Sequence, residues 1–326
     1  MRRRDFITLV GGSATVWPLA ARAQQQAMPM VGFLRSSTLV DATNLMTAFR
    51  QGLQETGYVE GQNVATEYRF AENDRDKLTA LVKDFIHRPV AVIVGNLIAA
   101  LAAKAASTTV PIVFATGTDP VKDGLVTNLN RPGGNVTGVS FFAAAVGAKR
   151  LEQLRQLVPS ATTIGVLEAT DNPEDRKDVE VAARAIGQQL IVLSASNASE
   201  IRAAFETFVR RGVGALIITS SAFTFSNRDE IVALAAQYKL PDKLPASYGV
   251  RENATAGGLI SYGASITDAY RQVGVYAGRI LKGEKPGDLP VIQSTKFEFV
   301  INLKTAKKLG LTVPLIMQMT ADEVIE

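Results

Sequence analysis

From residue 30 onward the chain alternates short apolar runs with stretches in which apolar residues recur every three or four positions. Met30-Val-Gly-Phe-Leu34 is the first run; Leu45, Phe49 and Leu53 then mark a helix that stops at Gly57. The pairing recurs as strand 64–70 with helix 77–86, and strand 91–94 with helix 98–106, before strand 112–114. Runs this apolar, separated by helices of about 10–15 residues, read as βαβ units on a buried parallel sheet. After the turn Arg131-Pro-Gly-Gly-Asn135 and strand 136–139, a second series begins with helix 149–157 and strand 163–167. Helix 175–186, strand 190–193, helix 200–210, strand 215–218 and helix 229–238 follow, then strands 244–247 and 259–261 and helix 267–281. Two such series predict an α/β protein of two Rossmann-like, doubly wound lobes.

The first 23 residues do not share this pattern. Arg2, Arg3 and Arg4 precede a short apolar run that ends in Ala21-Arg-Ala23, which describes a cleavable export signal. Arg3-Arg4-Asp5-Phe6 adds the twin-arginine pattern, so the expected location is the periplasm, with cleavage near Ala23. Residues 24–29 read as a polar spacer. The formal charge of the 326 residues is +4, but without Arg2, Arg3, Arg4, Arg22 and Asp5 it falls to +1. A nearly neutral body argues against a nucleic-acid partner.

Composition removes several kinds of chemistry. With no cysteine and one histidine, thiol nucleophiles, zinc–thiolate sites and multi-imidazole mechanisms are excluded. No Gly-x-Gly-x-x-Gly, P-loop or Gly-x-Ser-x-Gly elbow occurs, and no carboxylate pair declares itself. A non-enzyme without cofactor or metal is the expectation, with a carboxylate-dependent hydrolase as the remaining enzymatic alternative. What the pattern does offer is polar residues at strand ends, where open α/β sheets bind ligands. These are Ser36 and Ser37 after the first strand, Asn96 after the third, and Thr116-Gly117-Thr118-Asp119 after the fourth. Phe141 is a candidate apolar wall, and Asp171, Ser220, Tyr248 and Tyr262 come from the second series. Each loop also suits a helix N-cap, with Asp119-Pro120 reading as cap and first helical residue. Taken jointly they suggest a cleft whose neutral donors, at a helix N-terminus, would hold a carboxylate without a buried cation.

Long stretches carry a family resemblance. They are Phe49-Arg-Gln-Gly-Leu-Gln-Glu-Thr-Gly-Tyr58, Asp119-Pro-Val, Leu129-Asn-Arg-Pro-Gly-Gly-Asn-Val-Thr-Gly138 and Lys296-Phe-Glu-Phe-Val-Ile-Asn302 with its continuation to Pro314. Together they resemble the ABC-transporter substrate-binding family that includes tryptophan- and tyrosine-type periplasmic binding proteins. The resemblance implies a type I periplasmic-binding-protein fold, a three-segment hinge and a solute trapped between the lobes. It assigns residues 30–142, the hinge-near part of 264–290 and 291–326 to lobe one, and 143–263 to lobe two. Crossings are expected near 141–146, 262–266 and 289–293. A monomeric receptor would deliver a small amino acid or aromatic acid to a membrane permease; presenting it to a membrane sensor or chemoreceptor is the alternative. Two departures, Glu168-Ala-Thr-Asp-Asn-Pro173 and extra residues at 240–245, fall where a ligand is expected.

Overall fold

The structure, a computed structural model, describes residues 28–141, 146–169, 173–237 and 244–326. The leader, Asp171 and residues 240–243 lie outside the described residues. The first series forms β1 (Met30–Arg35), α1 (Thr43–Glu55), β2 (Ala65–Phe70), α2 (Arg75–His87), β3 (Val90–Asn96), α3 (Leu97–Ala106), β4 (Ile112–Thr116) and β5 (Val136–Ser140). The second forms α4 (Val146–Leu157), β6 (Thr163–Ala169), α5 (Pro173–Ala185), β7 (Gln189–Ala195), α6 (Ala198–Arg210), β8 (Ala215–Ile218) and two helices, α7 (Ala222–Ser226) and α8 (Arg228–Gln237). It continues through β9 (Ala246–Tyr248), α9 (Arg251–Thr255) and β10 (Ile260–Ala264). The chain then returns with α10 (Ile266–Leu281) and β11 (Ile292–Gln293), and crosses again to β12 (Phe297–Asn302), α11 (Leu303–Leu309), α12 (Leu315–Thr320) and β13 (Glu323–Ile325).

Two sheets result, ordered β11-β5-β4-β3-β1-β2 and β13-β12-β10-β9-β8-β6-β7. Every pairing is parallel except β10 with β12. Both faces of each sheet are covered at its centre, which is why β1, β4, β5 and β8 are buried almost throughout, whereas the edge strand β2 carries polar residues and is only half-buried. In lobe one, Phe33 meets Phe49 and Tyr68 at 5.3 Å between ring centres and Tyr270 at 5.9 Å. The opposite face buries Leu78, Val82 and Phe85 beneath α2. Asp74 starts that helix by accepting from the Asp76 and Lys77 N–H groups, two donors that have no partner within the helix. Lobe two buries Leu151, Leu154 and Ile164 on one face and Phe205 and Phe208 on the other.

The late helix α10 belongs to lobe one, where it lies along α1. A Cβ at Gly52 would fall 1.8 Å from the Arg271 carbonyl oxygen, and one at Gly274 would fall 2.2 Å from that of Phe49. Only glycine permits so close an approach of two helix backbones.

The expected assignment of 291–326 to lobe one does not hold. Only β11 joins the first sheet; β12 pairs antiparallel with β10, in register Tyr262↔Phe299 and Gly263↔Glu298, and β13 follows on the same edge. Aromatic pairing accounts for the placement: Tyr262 stacks on Phe297 at 6.0 Å and meets Phe299 edge-on at 6.3 Å. The third crossing therefore falls at 294–296, after the expected 289–293. The third crossing is tied to the ends of the strands that flank it, with the Ser294 N–H donating to Ser140 O (2.8 Å) and the Ser265 N–H to Lys296 O (2.9 Å).

Candidate functional site

Because the strands of both sheets end towards each other, their C-terminal loops face one cleft of about 890 Å³. That is at the upper end of the range usual for small-molecule sites, about 300–1,000 Å³. Ser36, Ser37, Asn96, Thr116, Gly117, Thr118 and Phe141 line it from lobe one, and Ser220 and Tyr248 from lobe two. Two expected residues point elsewhere. Asp119 Oδ1 accepts from the Val121 and Lys122 N–H groups at 2.9 and 3.3 Å, closing its own turn. Tyr262 is turned into the lobe-two core by its stacking on Phe297.

The lobe-one wall is a set of interlocked short loops. The Ser36 N–H donates to Asn96 Oδ1 (3.2 Å), and Asn96 Nδ2 returns a bond to Ser36 Oγ (2.7 Å). The Thr118 N–H donates to Thr116 Oγ1 (3.2 Å), the two hydroxyls meet at 2.7 Å, and the Thr118 hydroxyl donates to Asp123. No helix begins at Asp119; residues 120–124 make one turn, closed by Leu125 N–H to Pro120 O (2.9 Å) and Gly124 at φ +74°. The expected helix N-terminus is therefore missing, and the Thr118 proton is already committed. Gly117 has a packing reason: a Cβ there would sit 2.7 Å from the Phe141 ring.

The cation that neutral loops were expected to replace is present. Arg35, the last residue of β1, is 8% exposed and lines the cleft. Its Nε donates to Ser37 Oγ (3.2 Å) and its Nη1 to the Tyr270 hydroxyl, with the guanidinium 5.3 Å from the centre of that ring. Among the described residues no carboxylate forms an ion pair with it. Burial pushes the Tyr270 phenol pKa up, and the adjacent Arg35 opposes that shift. Arg35 ends an apolar run at the strand end where ligands bind, and this was the signal for it in the chain.

Lobe two builds its wall differently. Arg150 on α4 is fully buried, forms an ion pair with Asp175 in the first turn of α5, and donates through Nη1 to Ile218 O at 3.0 Å. Asp175 Oδ2 also accepts from the Ser220 N–H at 2.7 Å, so one carboxylate fixes the loop after β8. Ser221 then starts α7 with a reciprocal cap to Thr224, and Phe223, Phe225 and Tyr248 supply aromatic surface. Burial pushes the Tyr248 phenol well above its usual range. A smaller cavity of about 350 Å³ adjoins the cleft, sharing Leu45 and Phe225 with it. It includes Glu252, whose buried Oε2 has no hydrogen-bond partner; burial, assisted by Glu298, raises this carboxyl's pKa against the pull of Arg251 and Arg228. Among the described residues no group of three or more His, Cys, Asp or Glu side chains is placed to hold a metal.

This architecture is shared with known proteins. The chain is 27% identical over 282 residues to a tyrosine-binding protein of Clostridioides difficile (strain R20291), covering 84% of this chain and 80% of that one. An ABC domain from Streptococcus pneumonia, solved in complex with L-Trp, superposes with a TM-score of 0.81 at 26% identity, covering 91% of this chain and 99% of that one. A ligand-free, open substrate-binding protein from Clostridium difficile shares the fold at a TM-score of 0.69 and 23% identity, with coverage of 91% and 99%. The family model for ABC transporter substrate binding proteins matches residues 41–325, nearly the whole two-lobed body. The chain belongs to the ABC transporter substrate binding protein family.

Proposed function

We propose that this protein is a periplasmic receptor that traps a small carboxylate-bearing solute, an amino acid or an aromatic acid, and delivers it to a membrane permease. The observation that carries the carboxylate is Arg35. A buried guanidinium without an anionic partner among the described residues is costly, and a ligand carboxylate would neutralise it in the planar, two-bond geometry that suits arginine. Phe141, Phe223, Phe225, Tyr248 and Tyr270 give the rest of the ligand an aromatic enclosure. The tyrosine-binding relative and the L-Trp complex support an aromatic amino acid.

Trapping follows from the walls belonging to different lobes. A solute held by Arg35 on lobe one and by the Ser220–Phe225 loop on lobe two favours the arrangement in which both touch it. The permease would recognise that closed form, and the receptor would release its ligand chemically unchanged. The positive leader is the support for export, and a monomer suffices because both walls come from one chain.

A thermal-shift screen of aromatic amino acids, their des-amino acids and their decarboxylated amines tests this reading. A ligand that binds only the native state raises the melting temperature. Acids should stabilise and the matching amines should not; equal stabilisation by tryptamine and L-tryptophan would overturn the carboxylate assignment.

A further inference from the structure

The loop after β2 carries the two non-glycine residues with left-handed backbone among the described residues, Glu72 (φ 56°) and Asn73 (φ 65°). Asparagine adopts this region more readily than most residues, whereas glutamate adopts it at a cost. Three consecutive N–H groups hold the conformation against the loop that carries Arg35. Ala71 donates to Arg35 O (2.9 Å), Glu72 to Ser37 O (3.3 Å) and Asn73 to Ser36 O (2.6 Å). The strained turn thus lies directly on the segment that presents the buried guanidinium.

For the turn alone, glycine would serve better than either residue. The chain instead places an amide at 73, where it lines the cleft and makes no side-chain hydrogen bond within the described residues. Glu72 does not line the cleft; it pairs with Lys77 at 2.9 Å on an exposed surface. Backbone strain that the surroundings maintain at a binding cleft points to a side chain that must be aimed. We propose that Asn73 is a ligand-contacting residue, its amide donating to the same carboxylate that Arg35 binds. This rests on the carboxylate reading and adds a second, neutral donor from the cleft mouth.

Glycine variants separate contact from turn, because glycine accepts φ > 0 without strain. Calorimetry would use whichever of L-tryptophan, L-tyrosine and indole-3-propionate the wild-type protein binds most tightly. Asn73→Gly should weaken it by about tenfold or more, the usual effect of losing one hydrogen bond to a charged group. Glu72→Gly should stay within about twofold. Asn73→Asp, which keeps the left-handed tolerance but sets a like charge beside the carboxylate, should be weaker than Asn73→Gly. Unchanged affinity in Asn73→Gly, an equal loss in Glu72→Gly, or retained affinity in Asn73→Asp would overturn the proposal. The carboxylate reading is judged separately, on wild-type preference for L-tryptophan over tryptamine. A wild-type protein that binds none of the three acids would overturn both.

Discussion

Arg35 and Arg150 are buried arginines in opposite walls of one cleft, and they are held in opposite ways. Arg150 has an internal carboxylate, Asp175, and a carbonyl, so its charge is spent on fixing lobe two. Arg35 has a serine hydroxyl, a phenol and an aromatic face, none of which carries negative charge. The Arg150 charge is therefore closed within lobe two, and the Arg35 charge stays open in lobe one. A buried ion pair adds little net stability compared with an apolar replacement, but removing one partner leaves the other exposed to the low dielectric. An open buried cation strands no anion when it is removed: relief of the buried charge offsets the loss of its bonds to the Ser37 and Tyr270 hydroxyls, so the main loss falls on the ligand.

The largest effect that tests this contrast is on Arg150. Arg150→Met should destabilise the protein by about 3–5 kcal/mol in denaturant unfolding, because Asp175 is left buried without its partner. Adding Asp175→Leu should restore most of that loss. Arg35→Met should lower affinity for the carboxylate ligand by about 100-fold or more in calorimetry while shifting unfolding by less than about 1 kcal/mol. A large stability loss there would show that Arg35 is as structural as Arg150.

Glu252 sharpens the comparison through pH. Burial raises its pKa in the folded state, so between the ordinary glutamate value and that raised value the native state binds more protons than the unfolded chain. Its stabilising contribution is present below the unfolded value and is lost as pH rises through the folded one. Glu252→Gln should consequently be more stable than wild type at neutral pH, with the advantage shrinking on acidification; melting curves across that range would show it. The smallest effect is expected at Thr118. Its hydroxyl serves the Asp123 carboxylate, so Thr118→Val should cost about 1.5 kcal/mol of stability, the low end for a bond to a charged group, and change ligand affinity by less than about threefold. A loss of tenfold or more in affinity would return that hydroxyl to the ligand.

Much of the architecture was legible in the chain, since apolar runs at βα spacing mark buried parallel strands whatever their partners. Which sheet a strand joins was not. β12 carries the same apolar signature as the others, and its place beside β10 rests on Tyr262 meeting Phe297 and Phe299 across strands, which one-dimensional spacing does not encode. The cleft loops at Ser36, Asn96, Thr116 and Ser220 were legible because strand ends are where polar residues gather. Arg35 was visible in the same loop, but whether a charged residue at a strand end has a partner depends on residues far along the chain, and Tyr270 is 235 positions away. Asn73 gave no sign because left-handed backbone in a non-glycine residue leaves no pattern in composition.

The late return of the chain to both sheets also bears on how the protein is made. Lobe one is incomplete until α10 and β11 are added, and lobe two until β12 and β13 are added, so each lobe needs residues from the last fifth of the chain. Neither can finish its sheet while the ribosome is still building the other, although domains in general fold as units during synthesis. A single cut therefore yields no pair of independent lobes, because each half lacks strands or helices that complete its own sheet or its cover.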